Sequence, residues 1–293
     1  MDLMSRNAPA AAVTLHSLVR RFWRNTSLTW LLVVVEGLTL LLMPMVIGWA
    51  VDGLMHSSGV GLWQLGWLCV ILLIVGGARR LYDTRAYARI YETVVNEIVS
   101  REQARRSSVS VISARTGLFE EFVQFLEDSI PGIIHEVIGV SGTLLIIFIL
   151  DPRVFIACLA AIVATIVIYT LTQKHIYRYN YEENDEAERH VAVLTAADKD
   201  QTRRHFSYLM KWQIKLSDLE TMNFSLVWIV LAVVLLFSVW TVSTASASSI
   251  GQKVSLVMYV FGFIEGLLAF PLYYQQLVRL REIATRLEQP NPE

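Results

Sequence analysis

Charge is scarce in this chain. Asp, Glu, Lys and Arg make up 17% of its 293 residues against 54% hydrophobic residues, and the mean hydropathy is +0.47. A soluble domain of this size needs more charge to cover its surface, so a water-soluble globule is excluded. Cysteine is almost missing. Cys69 and Cys158 both fall inside apolar stretches, which argues against a disulfide framework or thiolate metal site and leaves two small buried apolar side chains. Catalytic signatures are missing as well: there is no Gly-x-Ser-x-Gly, no His-Glu-x-x-His and no Cys-x-x-Cys. The expectation is a chain that is not an enzyme and needs no cofactor or metal. Its net charge of -1 and the lack of aromatics within the arginine run Arg101, Arg105, Arg106 speak against nucleic acid as a partner and for lipid headgroups.

What the chain has instead is apolar length. Six stretches are long enough to cross a bilayer: Leu28–Ala50, Leu62–Ala78, Ile133–Leu150, Val154–Leu171, Phe224–Val242 and Val254–Leu272. Cations surround them unevenly. Four precede the first stretch, eight lie from Arg79 to Arg115, eight from Lys174 to Lys215, and three follow the last (Arg279, Arg281 and Arg286). Six crossings place all of these on one face and leave only Arg153 and Lys253, of 25 in all, on the other. The positive-inside rule then puts both termini in the cytoplasm of a multi-pass protein of the bacterial inner membrane. Trp30, Trp49, Trp63, Trp240, Tyr273 and Tyr274 lie near the ends of the stretches, where amphipathic rings settle at the headgroups. The first stretch is longer than a signal-peptide core and no small-residue cleavage site follows it, so it reads as a retained helix. The expected organisation is a cytoplasmic lead with an amphipathic segment over residues 1–27, a six-helix membrane domain over 28–288 and a loose tail over 289–293.

The connections differ on the two sides. The outer ones are short: Gly53 to Gly61, Asp151–Pro152–Arg153, and Ser243 to Gln252. The inner ones are long and free of helix breakers. From Arg79 to Ser107 there is neither Gly nor Pro, and Leu81, Ala88, Tyr91, Val95 and Ile98 recur as a helical stripe. The second span is therefore predicted to run on as one helix of about 45 residues, roughly 70 Å long. Gln173 to Asn223 also lacks Gly and Pro and reads as two helical arms meeting near Thr195–Thr202, with a turn at Asp198–Lys199–Asp200. The fold class expected is all-α and integral to the membrane: six transmembrane helices with long cytoplasmic helical extensions.

That silhouette resembles the transmembrane domain of type-1 ABC exporters. The matching residues are Pro44-x-x-x-Gly48-x-x-x-Asp52 at the exit of the first helix, and Asp151–Pro152–Arg153 between the third and fourth. Gly251–Gln252–Lys253 leading to Pro271 matches the sixth helix, and Leu277–Leu287 the helix that feeds the ATPase domain. The resemblance implies a homodimer or heterodimer of six-helix units, domain-swapped with helices four and five exchanged to the partner, and a substrate cavity on the two-fold axis. Two departures stand against it. No Gly-x-x-x-x-Gly-Lys-Ser/Thr occurs, so the expectation is that this polypeptide lacks the nucleotide-binding domain and has no ATP site of its own. The inner connection between spans four and five is shorter than the family's pair of arms and lacks its glycine-containing coupling segment.

Ionisable groups at membrane depth are the site candidates. Glu36 lies near the middle of the first span and Glu265 in the middle of the sixth. An acid at helix centre costs about 2.5–3.5 kcal/mol to insert and so faces a cavity or a partner. Proton coupling, cavity lining and plain packing are all open for both. Gly262 and Gly266 flank Glu265 at a spacing that lets another helix approach, and Pro44 and Gly48 are the matching small-residue candidates in the first helix. His135 and Glu136 open the third span. They read either as a helix-terminal acid beside an interfacial histidine or as a gate that titrates near neutral pH. Glu182, Glu183, Asp185, Glu186, Glu188 and His190 read as a solvated face, although Glu186 and His190 are spaced to share a cation. The fifteen-residue spacing of His175, His190 and His205 reads as chance.

The functional expectation is alternating-access transport of a small amphipathic molecule or peptide without an ATPase in the chain, proton-coupled through Glu36 and Glu265. The alternative is the membrane subunit of a split ABC exporter that recruits a separate ATPase to its arms. A non-transporting membrane scaffold is the third.

Overall fold

Helix breakers decide where this chain turns. The structure, a computed structural model, describes residues 21–196, 198–244 and 248–288. The lead up to residue 20, the tail 289–293 and the side chains of Tyr274, Arg281 and Arg286 lie outside the described residues. Among the described residues there are helices and turns only. They form α1 (Trp23–Met55), α2 (Val60–Ala104), α3 (Val109–Gln124), a π-helical turn (Phe125–Ser129), α4 (Ile130–Leu150), α5 (Pro152–Glu188), α6 (His190–Thr195), α7 (Lys199–Thr244) and α8 (Ile250–Glu288). Six of these runs are long and apolar enough to cross a membrane, so the all-α, six-helix expectation holds.

The second helix is a single unbroken run of 45 residues, as its lack of Gly and Pro beyond Arg79 requires. It ends in a tight turn. Arg106 takes a left-handed φ of 58°, and Ser108 caps α3 by accepting from the Val111 N–H at 3.4 Å. Beneath that turn Glu102 is buried and receives Arg115 Nη1 at 2.5 Å and the Ser107 hydroxyl at 2.6 Å. Tyr87, Ile90, Val94 and Ile98 of α2 then pack against Phe119, Phe122 and Val123 of α3 in one apolar cluster. This cluster ties α3 to α2, and the helical run that contains the third apolar stretch begins at Val109 and extends 42 residues to Leu150, well ahead of Ile133. Arg21 adds an exposed two-pronged pair to Glu97 at 2.7 and 2.9 Å; that hydrogen bond raises the guanidinium above its ordinary value.

The chain divides into two units, one of residues 1–146 with 248–293 and one of residues 147–247. The first holds α1, α2, α3, most of α4 and α8. A close helix crossing lies at the Met55 end of α1. A Cβ placed on Gly251 would lie 2.0 Å from the Gly48 carbonyl oxygen, so only glycine lets α1 and α8 cross there. The crossing is locked by Asp52, which accepts from the Gly251 N–H at 2.7 Å and the Ser249 hydroxyl at 2.5 Å and so caps α8. One turn back, the Ser255 hydroxyl donates to the Pro44 carbonyl at 2.8 Å, an oxygen one turn above the Gly48 contact. The Pro44–Gly48–Asp52 spacing is thus one face of α1 laid against α8.

The second unit is the hairpin of α5 and α7 with α6 between. Asp151 caps α5 through the Arg153 N–H at 2.8 Å, with Pro152 at the first helical position. Val154, Cys158 and Ala161 of α5 and Val227, Leu231 and Val234 of α7 are buried. One polar clamp ties the pair: Asn223 Nδ2 donates to Thr172 Oγ1 at 2.9 Å, with both residues buried. Removing one partner strands the other, so Thr172→Val is expected to destabilise the hairpin by about 1–3 kcal/mol. The double change Thr172→Val with Asn223→Leu should cost less than the single one, which a thermal-melt comparison in detergent would show. At the far end the two arms do not meet in a simple turn. Six residues form α6, and Asp198 then caps α7 by accepting from the Asp200 N–H at 2.9 Å.

Candidate functional site

Four residues per step along α2 puts Arg79, Asp83 and Tyr87 on one face, and that face meets α1. Asp83 is 3% exposed and Glu36 of α1 8%. Arg79 joins them: its Nε donates to Glu36 Oε2 and its Nη1 donates to Asp83 Oδ2 at 3.0 Å. Thr29 of α1 also faces Asp83. Gly76 makes room for the arrangement, since a Cβ there would sit 3.0 Å from Glu36 Oε1. His135 of α4 completes it. Its Nε2 is 3.1 Å from the Val33 carbonyl and 3.7 Å from Glu36 Oε2. Because a carbonyl only accepts, that nitrogen carries the ring proton in the neutral imidazole.

The charge count is the chemical content of this cluster. Two buried carboxylates share one guanidinium, so one negative charge is left over unless a carboxyl or the imidazole takes up a proton. Burying an uncompensated charge is costly in a low-dielectric interior.

A cavity of about 250 Å³ opens beside it, walled by α1, α4 and α8. Gly37, Pro44, His135, Thr143, Tyr259 and Glu265 are among its lining residues. Tyr259 is fixed by donating to the Leu41 carbonyl at 2.9 Å. His135 thus stands between the cavity and the Glu36–Arg79–Asp83 cluster. Glu265 lines the cavity directly and is exposed. Glu136 is half-buried on the other side of His135's helix, close enough to Glu265 for their charges to repel.

The sequence candidates are therefore placed as follows. Glu36 is paired with Arg79, a partner that residue counting took for an interfacial charge. Glu265 and His135 share the cavity. His135 and Glu136 are the sixth and seventh residues of α4, which continues α3 without a break through the π-helical turn. They do not open a helix, so no free N-terminal N–H groups serve Glu136. Gly266 admits side chains instead of a backbone: a Cβ there would lie 2.4 Å from Val140 Cγ2 and 2.5 Å from Glu136 Oε1, while Gly262 faces open space.

Asp83 and Tyr87 were not singled out by sequence, and Trp30 was read only as a ring settled near a span end. The available signal was the four-residue spacing Arg79–Asp83–Tyr87 in a stretch without breakers. In the second unit, His190 and His205 also come together. His205 is 3% exposed, its Nδ1 is 2.7 Å from Glu186 Oε1, and its Nε2 is 3.2 Å from His190 Nδ1. Their spacing is that of two arms paired across a turn. Both ring nitrogens of His205 are engaged, and no group of metal-binding geometry occurs among the described residues.

Six helices apolar and long enough to cross a membrane define a multi-pass membrane domain, and three of them, α1, α4 and α8, wall a cavity. Residues 15–251 match the family described as ABC transporter transmembrane region, and the chain belongs to that family. Among curated proteins none matches the chain significantly.

Proposed function

We propose that the protein moves a small amphipathic molecule or peptide across the bacterial inner membrane by alternating access, driven by protons. The observation that carries this reading is the charge imbalance at Glu36, Arg79 and Asp83 beside a cavity bordered by His135 and Glu265. A proton bound there changes the charge of the cavity wall and so biases which conformation is favoured. In this reading both termini are cytoplasmic, residues 28–288 form the working membrane domain with 1–27 as lead and 289–293 as tail, and two copies form a homodimer that exchanges α5 and α7. The unpartnered apolar side chains of the second unit support the exchange: Ile156, Val163, Ile166, Ile229, Val233 and Leu236 are all at least 59% exposed. The cavity supports this cargo class, because its wall mixes apolar residues with Thr143, His135 and Glu265.

A second reading rests on a different observation. The α6 segment carries Val191 at 74% and Leu194 at 50% exposure, an apolar face far along the arms that suits docking of a separate ATPase.

Uptake of a fluorescent amphipathic peptide into proteoliposomes separates the two. With an acid-outside gradient and no ATP, uptake is expected in the wild type and is expected to fall to background in Glu36→Gln and Glu265→Gln at equal protein content. Wild-type rates in both variants overturn the proton reading. Uptake that needs ATP, together with a co-purifying ATPase, establishes the second.

A further inference from the structure

The cavity wall offers hydrogen-bond acceptors and few donors. Its lining holds no lysine or arginine. Glu265 brings a carboxylate. The Tyr259 hydroxyl already gives its proton to the Leu41 carbonyl. His135 gives its ring proton to the Val33 carbonyl, which leaves the lone pair of the neutral ring on Nδ1. Thr143 is the fourth polar side chain. Other threonines in these helices return the hydroxyl to the carbonyl one turn back, as Thr39 does to Val35 at 2.6 Å and Thr172 to Ile168 at 3.0 Å. Thr143 lines the cavity at 5% exposure and makes no hydrogen bond with the described residues. A hydroxyl so buried calls for a partner, and the cavity is where one fits.

Charge points the same way. Among the described residues Glu265 has no ion pair. The nearby cations are engaged elsewhere: Arg79 with Glu36 and Asp83, and Arg279 of α8 with Glu121. A second carboxylate is close by, since a Cβ on Gly266, the residue after Glu265, would lie 2.5 Å from Glu136 Oε1. The same contact sets Glu265 level with the turn of α4 that carries His135. An anion is repelled from such a wall. A metal ion needs more ligands than it supplies, and no group of three metal-binding side chains occurs among the described residues. A protonated amine brings a positive charge and N–H donors together, which is what the wall lacks. Room for it comes from two glycines: a Cβ on Gly139 of α4 or Gly262 of α8 would meet nothing within 4 Å.

We propose that the cavity binds a primary ammonium group, with Glu265 as its counter-ion, His135 Nδ1 as a further acceptor and Thr143 holding a polar atom one turn beyond Gly139. Either an amphipathic amine cargo or the headgroup of an aminophospholipid carries this chemistry. The inference names the substrate class for the transport reading and rests on that reading's cavity, but the binding needs neither a gradient nor transport.

Equilibrium dialysis of tritiated phenylbutylamine against the full chain in phosphatidylcholine nanodiscs tests it. The wild type should bind the amine saturably. The trimethylammonium, alcohol and carboxylate counterparts should compete about tenfold more weakly or worse, because each lacks the N–H donors of the ammonium, its charge, or both. Glu265→Gln should weaken the amine by a similar factor. Thr143→Val should weaken it several-fold without lowering the melting temperature, because that hydroxyl has no partner in the protein to lose. Gly262→Leu should abolish binding in a folded protein, whereas Gly66→Leu, on an exposed face, should leave it unchanged. Equal affinity for the amine and its trimethylammonium counterpart, wild-type affinity in Glu265→Gln, or uptake of label that never saturates overturns the site. Adding phosphatidylethanolamine to the nanodiscs tells the two carriers apart: displacement of the amine assigns the site to the lipid headgroup, and unchanged binding assigns it to a soluble cargo. The site and the proton reading fail separately. Absent amine binding with gradient-driven peptide uptake intact sinks only the site, and amine binding as expected in a protein without gradient-driven uptake sinks only the coupling.

Discussion

Replacing Arg79 with methionine is expected to cost about 3–5 kcal/mol of stability, enough to lower the melting temperature sharply or to prevent purification in folded form. The side chains of Arg79, Glu36 and Asp83 are only 13%, 11% and 4% exposed. Without the guanidinium, two carboxylates remain buried side by side with no cation between them. Methionine keeps much of the volume and adds no polar group, so the loss reads the charge and not a void. The second half of the prediction makes it specific. Arg79→Met combined with Glu36→Gln and Asp83→Asn should recover most of the lost stability, because breaking a buried pair is costly whereas replacing all its members is nearly neutral. Thermal melts of the wild type, Arg79→Met and the triple variant in one detergent check this. An Arg79→Met protein as stable as the wild type would mean that the carboxyls are not held by Arg79.

Gly251→Val is expected to be the most damaging change at the other end of α1. Its new side chain would overlap the Gly48 carbonyl oxygen, at 2.0 Å from the added Cβ, and Asp52 Cγ, at 2.6 Å. Both obstacles are fixed, one as backbone and the other by its role in capping α8, so α1 and α8 have to separate. Overpacking of this kind costs about 1–3 kcal/mol, here toward the upper end, and separation also removes the Asp52 hydrogen bonds. Gly66→Ala is the matched control, because a Cβ at Gly66 meets nothing within 4 Å; in a helix interior it should be neutral or slightly stabilising. Equal melting temperatures for Gly251→Val and the wild type would show that the crossing is looser than described.

The spans and the long helix were legible in the sequence because they depend on local properties. Apolar length marks a crossing, and the run without Gly or Pro after Arg79 marks a helix that has no reason to stop. The helix ahead of the third span was not legible from hydropathy, because Phe119, Phe122 and Val123 are held by α2 and not by lipid. Glu36 was found because a lone acid in an apolar stretch stands out. Its partner was not, because Arg79 lies at the border where every arginine looks like an interfacial charge, and only helix rotation distinguishes one that turns inward. The same holds for Asp83 and Tyr87, which lie in a stretch already rich in polar residues. Pro44, Gly48 and Asp52 were visible as a spaced set, but their meaning lies in Ser255, Gly251 and Ser249, some two hundred residues further on.

The Gly48–Gly251 crossing sets a mechanical asymmetry. Two rods riveted near one tip keep that tip still and magnify any swing at the opposite tip. From Gly48 back to Trp23 is about 37 Å of helix, so a change of about 10° in the angle between α1 and α8 opens their far ends by about 6 Å while the riveted ends barely shift. Glu36 sits partway along the rod and Glu265 on its counterpart. A ligand that wedges them apart by a little therefore acts with leverage on everything beyond.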